Sequence, residues 1–215
     1  MNKALLFDLD GTISETDSLH HPAWAEMLAP HGYDVDWPFY EKNISGRLNP
    51  EIVAEFMPGL SEEEGREVVE KKEEDFRGRV DTLTATPGLH ELMGRGREAG
   101  VAVALVTNAP KLNALAVINA LGLEDDFDAI ILAEYAGAGK PDPAPYLMAL
   151  DALGVFATEA VAFEDSSSGI KSAVAAGIPT VGIASTHAPE TLDEAGAFVV
   201  VEDFTDRGLL SMLFG

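Results

Sequence analysis

Asp8 and Asp10, one residue apart, close the first apolar stretch of the chain, KALLFDLDGT. Alternate residues of an extended chain project their side chains the same way, so both carboxylates share one direction. Like charges held that close raise each other's pKa unless a cation lies between them. Gly11 then lets the chain turn sharply. Such a pair suits a divalent metal, or a nucleophile beside a proton carrier. Three more groups of the same character follow: Thr107-Asn108, Lys140, and Glu164-Asp165.

Each group ends, or lies just beyond, a segment that reads as a buried strand. Residues 3–7, VAVALVT, DAIILA, AVAFED, PTVGIA and AFVVV are short apolar runs, as strands of a parallel sheet are. Helical segments separate them: TPGLHELMGRGREAG, with Pro87 expected near its first turn and Gly100 as its stop, KLNALAVINALG, PAPYLMALDALG, SSSGIKSAVAAG, a helix near Pro189–Ala195, and a final one. Strands alternating with helices predict an α/β fold with a doubly wound parallel sheet. In such sheets reactive groups collect outside the carboxyl ends of the strands. Four polar endings at one sheet edge form a site.

Residues 15–83 have a different character. HHPAWAEMLAPHGY predicts a helix ending at Gly32, PEIVAEFMPG a short one, and SEEEGREVVEKKEEDFRGRV a long charged one opened by Ser61, with Glu64 three residues on. No strand signal interrupts them. The expected organisation is a catalytic α/β core, residues 1–14 and 84–215, with an inserted helical subdomain at 15–83.

Other site motifs fail on their own terms. A calcium loop counted from Asp8 wants glycine sixth and an acid twelfth, but Gly11 is fourth and Leu19 twelfth. GAGKP resembles the end of a phosphate-binding Walker loop, yet Glu134 and Pro141 stand where Gly and Ser or Thr belong. DSSSG lacks the leading glycine of a nucleophile elbow, and Ser166–Ser168 read as helix caps. The five histidines are scattered, which argues against zinc.

The composition narrows the partners. A net charge of −23 and a pI near 4.3 argue against nucleic acid and anionic membranes. With no cysteine there is neither a disulfide framework nor a thiolate metal site. The early apolar run is too short for a signal peptide, and no stretch approaches the roughly 20 apolar residues of a spanning helix. A cytoplasmic location is expected.

Asp8-Leu9-Asp10-Gly11-Thr12, Thr107-Asn108, Lys140-Pro141 and Glu164-Asp165 together resemble, in order, the four motifs of the haloacid dehalogenase-like phosphohydrolases. The helical insert resembles that superfamily's type-1 cap, and the subgroup is the one holding phosphoglycolate phosphatase, sugar-phosphate phosphatases and β-phosphoglucomutase. The resemblance implies an Mg2+-dependent phosphatase acting on a small phosphorylated metabolite through an aspartyl-phosphate. Asp8 would be the nucleophile and Asp10 the general acid and base. Thr107, Asn108 and Lys140 would bind the phosphoryl group. Asp8, Asp165 and the Asp10 backbone carbonyl would hold the metal, with Glu164 acting through a water.

Two other readings stay open: a phosphosugar mutase, which returns the phosphoryl to a second hydroxyl, and a non-enzymatic phospho-acceptor. A receiver-type acceptor is shorter and lacks the insert. Dehalogenation is disfavoured, because that branch of the family has no aspartate at the position of Asp10. Within the insert, His20, Arg47 and Lys72 are candidate substrate contacts, with Trp24 as packing support. Asn49 stands where the resemblance puts a phosphate-gripping arginine. Read without the resemblance, Lys72 is a solvated member of a charged helix.

Overall fold

The computed structural model describes residues 2–45 and 47–215. The chain forms two compact units: residues up to Glu15 with Thr84–Gly215, and Thr16–Leu83.

The larger unit is built on a six-stranded sheet of order β3-β2-β1-β4-β5-β6. Its strands are β1 Ala4–Phe7, β2 Ala102–Thr107, β3 Ala129–Leu132, β4 Ala160–Glu164, β5 Thr180–Ile183 and β6 Val199–Val201, and every neighbouring pair is parallel. Leu5 of β1 lies opposite Val103 on one side and Val161 on the other. Chain order reverses direction across β1 and β4, the switch point where such sheets open a crevice at their carboxyl ends.

β1 is buried along its whole length, hence its unbroken apolar run. Ala4 and Leu6 face one layer, with Val106, Ala162, Tyr146 and Leu150. On the alternate parity Phe7 stacks on Phe163 at 4.7 Å between ring centres, and Phe204 meets both edge-on at 5.8 and 5.5 Å. Full burial of each such ring contributes about 1.5–3 kcal/mol.

The smaller unit holds α1 Asp17–Leu28, α2 Trp37–Asn43, α3 Asn49–Phe56 and α4 Glu62–Arg77 around Trp24, Leu28, Tyr40, Ile52 and Phe56. α1 stops at Leu28, and a single 3-10 turn carries the chain to Gly32 at φ 88°. The sequence reading placed no helix at α2. Asp36 caps it by accepting from the Phe39 N–H at 2.9 Å, and Pro38 lies in the first turn, where the N–H it lacks is not needed. α4 opens as expected: Ser61 Oγ accepts from the Glu64 N–H at 3.3 Å, and Glu64 Oε2 from the Ser61 N–H at 2.7 Å.

The remaining helices, all in the sheet unit, are α5 Leu89–Glu98, α6 Lys111–Ala120, α7 Ala133–Ala136, α8 Ala144–Leu153, α9 Ser167–Ala175, α10 Pro189–Ala195 and α11 Arg207–Phe214. Pro87 lies two residues before α5, near its first turn as expected. Gly88, at φ 83°, precedes the helix, and a Cβ there would sit 2.5 Å from the Phe204 carbonyl carbon. The chain must pass that backbone before it can coil.

Candidate active site

Asp8 follows β1 directly, Thr107 ends β2, Glu164 ends β4 and Asp165 comes next, so one sheet edge gathers them. One carboxylate oxygen from each of Asp8, Glu164 and Asp165 lies within 4.8 Å of the others, and all three residues are buried. Lys140 reaches this group from the loop after α7. Its Nζ lies 2.5 Å from Asp8 Oδ1, 2.6 Å from Glu164 Oε1 and 2.7 Å from the Val106 carbonyl oxygen, with the Tyr146 ring 5.3 Å beneath. Each of the three ammonium protons thus has a protein oxygen. Lys140 therefore acts on the site through its charge and through the position it gives Asp8.

Burial and like charge dominate the electrostatics. Asp8 is pushed up to about 8, chiefly by burial; the Lys140 charge opposes this, and Glu164 and Asp10 add to it. Asp165 is pushed well above the usual carboxylate range by burial, then by Asp8 and Glu164. Burial alone would lower Lys140, but the charges of Asp8 and Glu164 outweigh it and hold the ammonium above its ordinary value. Tyr146 donates to Glu164 Oε1 at 2.6 Å, and burial keeps its phenol protonated.

Glu164 Oε2 is buried with no hydrogen-bond partner among the described residues. A buried carboxylate oxygen without a partner is costly. Three carboxylates face one ammonium, all donors are oxygens, and one is orphaned. That set fits a hard divalent cation. The Asp10 side chain is not part of this carboxylate group among the described residues. Asp10 is half-buried, two residues beyond Asp8, with its charge felt there.

Two glycines make room for the acids. A Cβ on Gly169, in the first turn of α9, would overlap the Glu164 carboxylate, and one on Gly11, at φ 78°, would overlap that of Asp165. Ser166 caps α9 by accepting from the Gly169 N–H at 3.1 Å, the cap role expected of it.

Thr107 and Asn108 hold different posts. Thr107 is 1% exposed, and its Oγ accepts from the Ala109 N–H at 2.9 Å, which leaves the hydroxyl proton to donate. Asn108 Oδ1 accepts from the Lys140 N–H at 3.0 Å, and its Nδ2 donates to the Lys140 carbonyl at 3.3 Å. The side chain therefore fixes the lysine loop.

In the smaller unit the structure joins His20 and Lys72 but leaves Arg47 apart. Lys72 is 2% exposed, not solvated: its Nζ lies 2.8 Å from His20 Nδ1 and 3.1 Å from Glu73 Oε1. Asn49 donates to the same Glu73 oxygen at 2.5 Å, and His20 stacks on Phe76 at 4.1 Å. Arg47 is engaged with Glu55 at 2.7 Å and with the Asn43 carbonyl at 2.8 Å.

Sequence reasoning missed Tyr146, Ser185 and Thr186. Tyr146 sits in an apolar helical run and reads as packing. Thr186, in the loop after β5, donates from Oγ1 to Asp165 Oδ2, and Ser185 Oγ donates to the Gly11 carbonyl at 2.5 Å. The signal available was their place just past a strand end.

A family model described as haloacid dehalogenase-like hydrolase matches residues 2–177. The chain is 32% identical over 215 residues to a validoxylamine A 7'-phosphate phosphatase of Streptomyces hygroscopicus subsp. limoneus, covering 96% of each. It is 31% identical to a phosphorylated carbohydrates phosphatase of Thermotoga maritima, over 93% of this chain and 94% of that one. Among solved structures, CbbY from Rhodobacter sphaeroides in complex with phosphate superposes with a TM-score of 0.85 at 28% identity, covering 97% of both chains. With the motif residues gathered at one sheet edge and the match running through them, the chain belongs to the haloacid dehalogenase-like hydrolases.

Proposed function

We propose that the protein is an Mg2+-dependent phosphatase of small phosphorylated metabolites, a sugar phosphate or a phosphoglycolate-like ester, working through an aspartyl-phosphate. The observation that carries this is the buried Asp8–Glu164–Asp165 group with a single ammonium against it and one unpartnered oxygen. The names of the relatives, both phosphatases of phosphorylated small molecules, support it. Asp8, Asp165 and the Asp10 carbonyl would hold Mg2+, with Glu164 acting through a water, and a cation there would supply charge neutralisation to the phosphoryl group.

Asp8 attacks phosphorus through a carboxylate oxygen; the new O–P bond forms as the ester P–O bond breaks. Asp10 gives its proton to the leaving oxygen. Water then attacks the aspartyl-phosphate and passes a proton to Asp10, and breaking the acyl O–P bond restores the Asp8 carboxylate. Thr107 Oγ–H and the Asn108 backbone N–H donate to the phosphoryl oxygens, while Lys140 counters the gathered negative charge. These residues handle a group every phosphate ester shares. We therefore assign the choice of leaving group to the helical unit.

The test is phosphate release from a panel of phosphorylated metabolites with Mg2+, beside a coupled assay for glucose 6-phosphate formed from β-glucose 1-phosphate. Hydrolysis that Asp8→Asn abolishes in a folded protein is the expected result. Isomerisation without phosphate release would overturn it in favour of the mutase.

A further inference from the structure

The loop after β5 carries Ser185, Thr186 and His187, all exposed, yet it is tied to the two segments that bear the carboxylates. Ser185 Oγ donates to the Gly11 carbonyl at 2.5 Å, and Thr186 Oγ1 donates to Asp165 Oδ2 and lies 3.4 Å from the Asp165 carbonyl oxygen. His187 Nδ1 lies 2.9 Å from the same threonine oxygen. A hydroxyl has one proton. Thr186 gives its one proton to Asp165, so its oxygen accepts from His187, whose proton then sits on Nδ1. The result is a directed chain, His187 to Thr186 to Asp165. Packing closes around it: a Cβ on Gly11 would overlap Asp165 and lie 2.9 Å from Thr186 Cγ2.

A carboxylate turns easily about its last bond, and one Asp165 oxygen lies within 4.8 Å of the Asp8 and Glu164 oxygens. The Thr186 hydroxyl is the one side-chain donor seen on its Oδ2 among the described residues. We propose that Thr186, oriented by His187, is a positioning residue for the divalent cation: it locks the Asp165 carboxylate in the rotation that faces Asp8 and Glu164. Ser185 anchors the same loop to the turn after Asp10. This rests on Asp165 being a cation ligand, as proposed above, and adds a residue outside the four motifs.

Direct binding of Mg2+ by calorimetry and of Mn2+ by electron paramagnetic resonance, on protein without substrate, tests it apart from turnover. Thr186→Val should weaken both ions about 10- to 100-fold, the usual effect of losing a group that orients a metal ligand. Thr186→Ser should restore affinity, and His187→Ala should give a smaller loss in the same direction. Thr186→Ala repeats the test without a branched side chain, and melting curves check that each variant folds. Wild-type affinity in Thr186→Val and Thr186→Ala, or equal weakness in Thr186→Ser, overturns the proposal. Asp165→Asn separates the two levels: if it too binds as the parent does, the ligand assignment itself is wrong.

Discussion

Each unit of the molecule buries one lysine beside a glutamate, and the two pairs are arranged differently. Lys140, with a side chain 4% exposed, faces Asp8 and a fully buried Glu164, with Asp165 close by. Lys72, at 2%, faces Glu73 and the His20 ring between Trp24 and Phe76. The first group sets three acids against one ammonium and leaves one oxygen unpartnered among the described residues. The second sets one carboxylate against one ammonium, with an imidazole and an amide also bonded to them. A buried charge group left out of balance is a place for a ligand; a balanced one specifies how helices pack.

Substitution of each lysine is the sharpest way to break this contrast. Lys140→Ala should lower kcat by about 10²–10³, the scale of removing one preorganised electrostatic contact, measured at saturating Mg2+. Near-normal turnover would mean that the lysine only packs. Lys72→Met should instead cost about 3–5 kcal/mol of stability in urea unfolding, because Glu73 is left buried without its cation. Pairing it with Glu73→Gln should recover much of that loss. A changed ranking between a sugar phosphate and acetyl phosphate, at unchanged stability, would move the second group from packing to substrate selection.

The pH dependence of stability gives a smaller effect. The folded-state pKa of Asp8 is raised from about 3.8 to about 8, so between these values the folded protein holds a proton that the unfolded chain has released. Stability from this group must fall as pH rises through that window. Without divalent cation the melting temperature should drop from pH 6 to pH 8, and saturating Mg2+ should flatten the slope. A metal-independent slope would place its origin in the general −23 surface charge instead.

What could be read from the sequence was local. β1, β2 and β4 are unbroken apolar runs because both faces of a parallel sheet are covered, and their polar ends stand out for the same reason. Asp8, Thr107, Glu164 and Asp165 were visible as chemistry at those ends, and the capping box at Ser61 was visible as a pattern of four residues. Lys72 was not: it lies in EKKEED, where Glu70, Lys71 and Glu74 are exposed, and the packing of α1 and α3 against α4 buries it. Tyr146 and Thr186 were hidden likewise, since their partners Glu164 and Asp165 lie 18 and 21 residues away in the chain.

Gly169 has a consequence for the charge at the sheet edge. Helix α9 presents a first turn without a side chain there, so its backbone comes directly against the Glu164 carboxylate. The aligned peptide dipoles of a helix leave about half a positive charge at its N-terminus, and that end faces an acid whose partners among the described residues are Lys140 and Tyr146. The helix thus serves as a fixed fractional cation that neither diffuses away nor titrates. It lets three acids share a buried edge before any metal ion arrives, and it closes position 169 to every residue that carries a Cβ.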